Sequence, residues 1–258
     1  MNSIMDSIAG GLSVIKAPII IPFAPRYFGK TCLLYRLIHF IRNYGFQVEL
    51  ATWFVSSHSI FWENECNKYM ESVGNGYSPF ATAIPILGKL IWQGNIKAQF
   101  VDFPGDFLYN IDNPCGHSSA LKEILSSPNK KIWLFILELD RFMKQDEQAN
   151  YSEKIRSVAT HITPNDKIII VVNKIDICSA SLKSKEDLVQ AIYHQYPTVL
   201  NCFKNKNPVT KLWRPFNCDI IPFTAGLFCR TYDNKEMFQP GLDTYPKQLW
   251  KAISKGLH

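Results

Sequence analysis

Lys30 and Thr31 are the first residues of this chain whose types and spacing could do chemistry. Together with Ala24 and Gly29 they complete the pattern Ala/Gly-x-x-x-x-Gly-Lys-Ser/Thr, preceded by the apolar run Ile19-Ile20-Ile21-Pro22-Phe23. An amphipathic helix is predicted to follow at once through Leu33, Leu34, Leu37, Ile38 and Ile41. A strand, a tight turn and a helix start in that order make an anion cradle. Loop N–H groups and the unpaired N–H groups of the helix start converge there, where the helix dipole favours negative charge. The expected phosphate contacts run from Ala24 through Pro25, Arg26, Tyr27, Phe28, Gly29 and Lys30 to Thr31 and Cys32. Lys30 supplies a mobile ammonium, and the Thr31 hydroxyl is a hard oxygen suited to Mg2+. Taken alone, the string also fits an ordinary strand–helix junction.

Three later stretches bear on that choice. Asp102-Phe103-Pro104-Gly105 ends a β-rich run; its carboxylate can hold Mg2+, and Gly105, lacking a Cβ, can bring its N–H close to a terminal phosphate. Asn173-Lys174-Ile175-Asp176 follows the apolar run Ile168 to Val172, and Thr224-Ala225-Gly226 follows Cys218 to Phe223. Asp176 is then a carboxylate at a strand end, able to accept a pair of hydrogen bonds.

These residues must be positioned by a scaffold, and the rest of the chain supplies its pattern. Further strands are predicted at Phe46 to Val55 and Lys131 to Asp140, with a hairpin from Ile86 to Asp102 turning at Gly94-Asn95. Helices are predicted at Ser59 to Val73, Ser118 to Leu125, Ala149 to Ile162, Ser184 to Tyr196 and Tyr245 to Lys255, and a loop over residues 106–115. Continuous apolar strands alternating with helices imply an α/β class, a doubly wound and mostly parallel sheet with helices on both faces and one antiparallel hairpin. The division expected is an N-terminal extension over residues 1–16, then a single domain over 17–258 carrying an inserted strand–helix segment at about 46–80.

The chain has 258 residues, a formal charge of +6 and seven cysteines, widely spaced and odd in number. That pattern favours reduced thiols in a cytoplasmic protein over a disulfide framework. The cations are scattered, so no dedicated nucleic-acid site is expected. No uncharged apolar run reaches the ~20 residues of a membrane span. Membrane contact is therefore expected only peripherally, with residues 1–16 as one surface-seeking candidate.

In order and position, Ala24 to Thr31, Asp102 to Gly105, Asn173 to Asp176 and Thr224 to Gly226 resemble the motifs of P-loop GTPases of the Ras-like and translation-factor class. The resemblance covers the chain from about residue 17 to the last helix. It implies GTP and GDP as ligands and Mg2+ as cofactor, held by Thr31, Asp102 and a switch threonine. Thr82 stands in the right order for that threonine, though an ordinary loop threonine fits its neighbours nearly as well. It further implies that Asp176 reads the guanine, Asn173 braces base and loop, the stem of Lys174 covers the base, and the Ala225 N–H meets guanine O6, within Thr224-Ala225-Gly226.

The departures concern catalysis. Asp106 stands where Ras-like enzymes carry a glutamine and translation factors a histidine. Arg26 falls where the family's loop approaches the γ-phosphate, either as an internal arginine finger or as a solvent-facing side chain. Lys30, Arg26 and Asp106 are thus the candidate catalytic residues. The expected function is a slowly hydrolysing GTP switch whose loops around Thr82 and residues 106–115, with the inserted segment, are read by a protein effector or regulator. The alternative is a catalytically weak pseudo-GTPase scaffold: Asp106 favours it, whereas Lys30, Thr31 and Asp102 oppose it. An ATP-using enzyme is a third reading, against which Asp176 argues.

Overall fold

A computed structural model describes residues 14–50, 85–108, 115–139, 145–178, 184–230 and 236–257, with Leu12, Ile60, Phe61, Glu63, Asn64, Asn67 and Leu182. Its centre is β1 (Ile19–Phe23), buried along its whole length because it is hydrogen-bonded on both sides and covered on both faces. β5 (Lys131–Glu138) is likewise buried throughout, and β6 (Lys167–Asn173) at all but its first residue. Continuous apolar runs suit such strands, since neither face meets water.

Among the described residues seven strands form one sheet in the order β2 (Phe46–Leu50), β3 (Ile86–Trp92), β4 (Asn95–Asp102), β1, β5, β6, β7 (Asp219–Pro222). β1 lies parallel to both β4 and β5, and β5, β6 and β7 are parallel in turn. β3 is antiparallel to β2 and to β4, so it alone runs against the other six. The edge strand β2 buries Phe46, Val48 and Leu50 partly and leaves Gln47 and Glu49 exposed, the alternation of a strand with one dry face.

Helices α1 (Lys30–Arg42), α2 (Gly105–Leu108), α3 (Ser119–Ser126), α4 (Gln145–Ala159), α5 (Lys185–Gln195), α6 (Pro197–Cys202) and α7 (Thr244–Ser254) cover the sheet. α1 packs against α7, and α6 against both α4 and α5. Caps explain two starts: Ser118 accepts from the Leu121 N–H, and Ser184 and Asp187 form a reciprocal capping box. Among the described residues no helix is long and apolar enough to cross a membrane.

The structure departs from the sequence reading in several places, α6 and the earlier start of α4 at Gln145 among them. The β3–β4 turn is Gln93-Gly94, one residue earlier than Gly94-Asn95. Both turn residues have positive φ, 50° and 74°, as a primed two-residue hairpin turn requires, and Asn95 Nδ2 donates back to the Gln93 carbonyl at 2.9 Å. Residues 105–108 form the short helix α2 where a loop is predicted. After Thr224-Ala225-Gly226 comes an unforeseen antiparallel pair, β8 (Gly226–Arg230) with β9 (Glu236–Pro240).

The end of the expected extension is tied to the sheet. Leu12 is buried, and the amides of Gln99 and Asn129 donate to the carbonyls of Ile15 and Ala17. Most of residues 1–16, most of the 46–80 segment and Thr82 lie outside the described residues.

Candidate functional site

At β1 the sheet reverses its order of growth: the chain has neighbours on either side that come later in sequence, β4 and β5. A crevice forms at such a switch point outside the strand C-termini. Phe23, Asp102, Glu138, Asn173 and Pro222 end their strands on this side. β2 ends and β3 begins here too, so the connection from Leu50 to Ile86, which contains Thr82, leaves and rejoins the sheet at the same end.

The loop after β1 turns sharply. Tyr27 has φ 67° and Gly29 φ 73°, and the Gly29 carbonyl accepts from the Leu33 N–H at 2.9 Å to open α1. A left-handed tyrosine is uncommon and is held by its surroundings: the Tyr27 carbonyl accepts from Lys174 Nζ at 3.0 Å, while Phe28 is buried edge-on against Tyr151 at 5.5 Å. Tyr151 in turn donates its hydroxyl to the carbonyls of Phe23 at 2.8 Å and Ile136 at 3.0 Å, pinning the ends of β1 and β5. Its neighbours in α4 give no sequence signal for this role; the contact is tertiary.

Lys30 lies in the concavity of the loop, its Nζ donating to the carbonyls of Ala24 at 3.0 Å and Pro25 at 2.8 Å. It is almost fully buried. Burial pushes its ammonium down from 10.5 to about 8, against the opposing pull of Asp102 and Asp106. Thr31 Oγ1 donates to Asp102 Oδ2 at 3.0 Å and lies 3.4 Å from Oδ1, and the Asp102 side chain is fully buried. A hydroxyl and a buried carboxylate in contact are a hard-oxygen donor pair that fits Mg2+.

Two close approaches bind the motifs to the loop. A Cβ on Gly105 would lie 2.4 Å from the Arg26 nitrogen, and one on Gly29 would lie 2.6 Å from Asn173 Nδ2. Only glycine fits at either place. Asn173 uses the second approach to donate from Nδ2 to the Phe28 carbonyl at 2.9 Å. Lys174, left-handed at φ 56°, spans from Tyr27 to Glu138 Oε1 at 2.8 Å, so its ammonium ties the loop to the end of β5. Beside the loop, Arg26 Nη2 and Asp106 Oδ2 form an ion pair at 2.5 Å with both side chains more than half exposed. Arg26 is thus held by Asp106 while its side chain still faces solvent over half its surface.

The other motif residues sit across the crevice. Asp176 is exposed on the 3-10 turn Ile175–Ile177. The Ile175 N–H donates to the Phe223 carbonyl at 3.2 Å, joining this turn to the strand end that carries Thr224, Ala225 and Gly226. Buried Thr224 accepts from the Gly226 N–H at 3.2 Å, and the Ala225 carbonyl from the Gly241 N–H at 3.1 Å. Gly241 is held in turn by buried Arg36 of α1, whose Nη2 donates to its carbonyl at 2.8 Å and to Asp243 Oδ1 at 2.5 Å. Sequence reasoning missed Arg36, Glu138 and Tyr151. Cys32 is half-buried in the first turn of α1, and Pro25 and Ala24 are buried behind the loop.

The strand order, the loop after the central strand and the placement of the motifs at strand ends decide the architecture. This is a P-loop GTPase fold. A solved structure described for the chloroplast translocon components atToc33 and psToc159, for whose GTPase activity dimerization is important, is similar to this chain at TM-score 0.50 and 12% identity, over 99% of this chain and 91% of that one. The likeness is one of fold. No family model matches the chain, and no curated protein matches it in sequence.

Proposed function

We propose that this chain binds GTP and GDP with Mg2+ in the crevice and works as a slowly hydrolysing switch. One observation carries the reading: the phosphate loop is gripped from both sides by the other motifs, through Thr31 to Asp102 and through Phe28 and Tyr27 to Asn173 and Lys174. A strand–helix junction without a ligand has no need for that convergence of polar side chains on one turn.

In this reading Lys30 exchanges its two loop carbonyls for phosphate oxygens, and backbone N–H groups from Arg26 to Cys32 surround the phosphates. Thr31 and Asp102 would hold Mg2+, together with Thr82 from the neighbouring connection. When bound, the metal supplies positive charge that screens the phosphate oxygens. Asp176 accepts from the guanine N1–H and amino group, and the Ala225 N–H donates to O6. Asn173 keeps the loop and the base turn in register, and Lys174 covers the base with its stem while its ammonium stays on Glu138.

Arg26 and Asp106 set the rate. The guanidinium is drawn toward Asp106 in the structure; an exposed pair of this kind is worth at most about 1 kcal/mol, so a γ-phosphate can compete for the arginine. Asp106 itself adds negative charge beside a developing anion, which makes turnover slow. The same pair supports the second reading, a pseudo-GTPase in which Asp106 holds Arg26 out of the chemistry. α2 and the residues beyond it, with the segment before β3, are the surfaces a partner reads. Since dimerization is important for the activity of the translocon GTPases, a second copy of this chain is the first partner to test.

Identifying the nucleotide that co-purifies with the protein, followed by calorimetry with GTP and ATP in the presence of Mg2+, tests the binding. Equal affinity for the two triphosphates would sink the guanine assignment. Single-turnover phosphate release then separates switch from pseudo-GTPase.

A further inference from the structure

The opposite end of the sheet, where β6 and β7 begin, carries a second built surface. Residues 203–217 leave α6 and return to β7 as a closed loop: the Asn217 N–H donates to the Phe203 carbonyl at 2.7 Å, which brings the ends together as in an Ω-loop. Its interior is filled. Buried Asn205 donates from Nδ2 to Thr210 Oγ1 at 2.8 Å and to the Arg214 carbonyl at 2.9 Å, and accepts from the Asn207 N–H at 3.0 Å. Asn207 Oδ1 accepts from Val209 and Thr210 N–H groups, and Phe203 is buried against Phe135, ring centroids 5.5 Å apart.

A loop so well tied could have kept its apolar residues inside. Instead Val209, Leu212 and Trp213 project into solvent, the last two 81% and 88% exposed. The segment also holds Lys204, Lys206, Lys211 and Arg214, all exposed, and not one Asp or Glu. At its base a cavity of about 640 Å³ is lined by Trp213, Arg214, Lys185 and Lys255, with Glu186 as a carboxylate and Lys167 already paired to Asp219 at 2.6 Å.

We propose that this loop docks the protein peripherally on an anionic membrane surface. Leu212 and Trp213 enter the boundary between headgroups and acyl chains, where an amphipathic indole is favoured. Lys206, Lys211 and Arg214 meet lipid phosphates, and the basic cavity receives a headgroup. Three observations choose a bilayer over a protein groove. Leu212 and Trp213 stand more than four-fifths exposed rather than in a groove, the loop's apolar side chains are few and accompanied by cations of one sign, and its polar interior is tied by Asn205 and Asn207, so insertion disturbs no internal contact. The loop lies at the strand end remote from Asn173 and Asp102, so a docked protein keeps its nucleotide crevice facing water. The inference does not depend on the nucleotide reading.

Sedimentation of the full chain with phosphatidylcholine vesicles, with and without phosphatidylserine, tests it. Binding is expected only to the serine-containing vesicles and should fall as salt is raised. The paired substitution Leu212→Ser with Trp213→Ser should abolish it without lowering the thermal midpoint, since both side chains are solvent-exposed. Lys206→Ala with Lys211→Ala should weaken it about thirtyfold, at about 1 kcal/mol for each cation near an anionic surface. No binding to the anionic vesicles at low salt, equal binding to neutral ones, or undiminished binding by the Leu212/Trp213 variant overturns the proposal.

Discussion

The two halves of the crevice are built differently. On the proposed phosphate side the central polar side chains are engaged: Lys30 on two carbonyls and Thr31 on Asp102, whose carboxylate is buried. On the base side the backbone is tied through Ile175, Ala225 and Gly241, yet Asp176 itself stands exposed. A charged phosphate must be met by groups already held in place, because desolvating a loose ammonium or carboxylate at the moment of binding is costly. A base is read by an edge-on pair of hydrogen bonds, for which a carboxylate on a fixed turn suffices. Under the proposed function, the difference places affinity in the phosphate half and selectivity in the base half.

Breaking the phosphate half has the largest expected effect. Lys30→Ala removes charge-assisted contacts worth about 1.5–3 kcal/mol each, so calorimetry should find triphosphate affinity down by two orders of magnitude or more, with circular dichroism unchanged; undiminished affinity would remove the phosphate-loop reading. Next comes Asp176→Asn, which lowers GTP affinity by about 1.5–3 kcal/mol and raises preference for xanthosine triphosphate, whose 2-oxo group accepts from the new amide. A variant that still favours GTP would place base recognition elsewhere.

Two smaller effects sharpen the contrast. Arg26→Ala should slow single-turnover hydrolysis about tenfold, near 1.4 kcal/mol of barrier, with GTP affinity changing much less. Asp106→Gln, which frees the arginine, should raise the rate. A wild-type rate in Arg26→Ala excludes the internal finger. The last test is pH. Folding lowers the Lys30 value from 10.5 to about 8, so the cost of burying its charge is full below about 8 and is relieved as pH rises toward the unfolded value; its own contribution to stability rises across that window. Phosphate binding needs the ammonium and should weaken over the same window, by at most about tenfold per pH unit. Triphosphate affinity measured on both sides of that value, and flat throughout, would show that Lys30 does not meet the phosphates.

Local patterning carried much of the architecture. The strand–turn–helix unit at Ile19 to Ile41, the apolar strands β5 and β6, and the capping box at Ser184 are each written in a few consecutive residues, because hydrogen bonding and burial there depend on near neighbours in sequence. From these units the parallel α/β class followed. The hairpin slipped by a residue because Gln93 adopts a conformation more usual for asparagine or glycine, and β8–β9, which begins at Gly226 itself, was assigned no element.

What the sequence by itself determined, then, is the strand runs, the glycines at 29 and 105, and the candidate chemistry of Lys30, Thr31, Asp102 and Asp176. Only the tertiary structure decided that Arg26 meets Asp106, that Lys174 reaches Glu138, that Tyr151 pins two strands, and that Arg36 holds Gly241 across more than two hundred residues. Side-chain pairs of that kind have no period and no spacing to betray them. They exist because sheet order brings distant strand ends within one hydrogen bond of each other, and buried polar groups then take whichever partner is in reach.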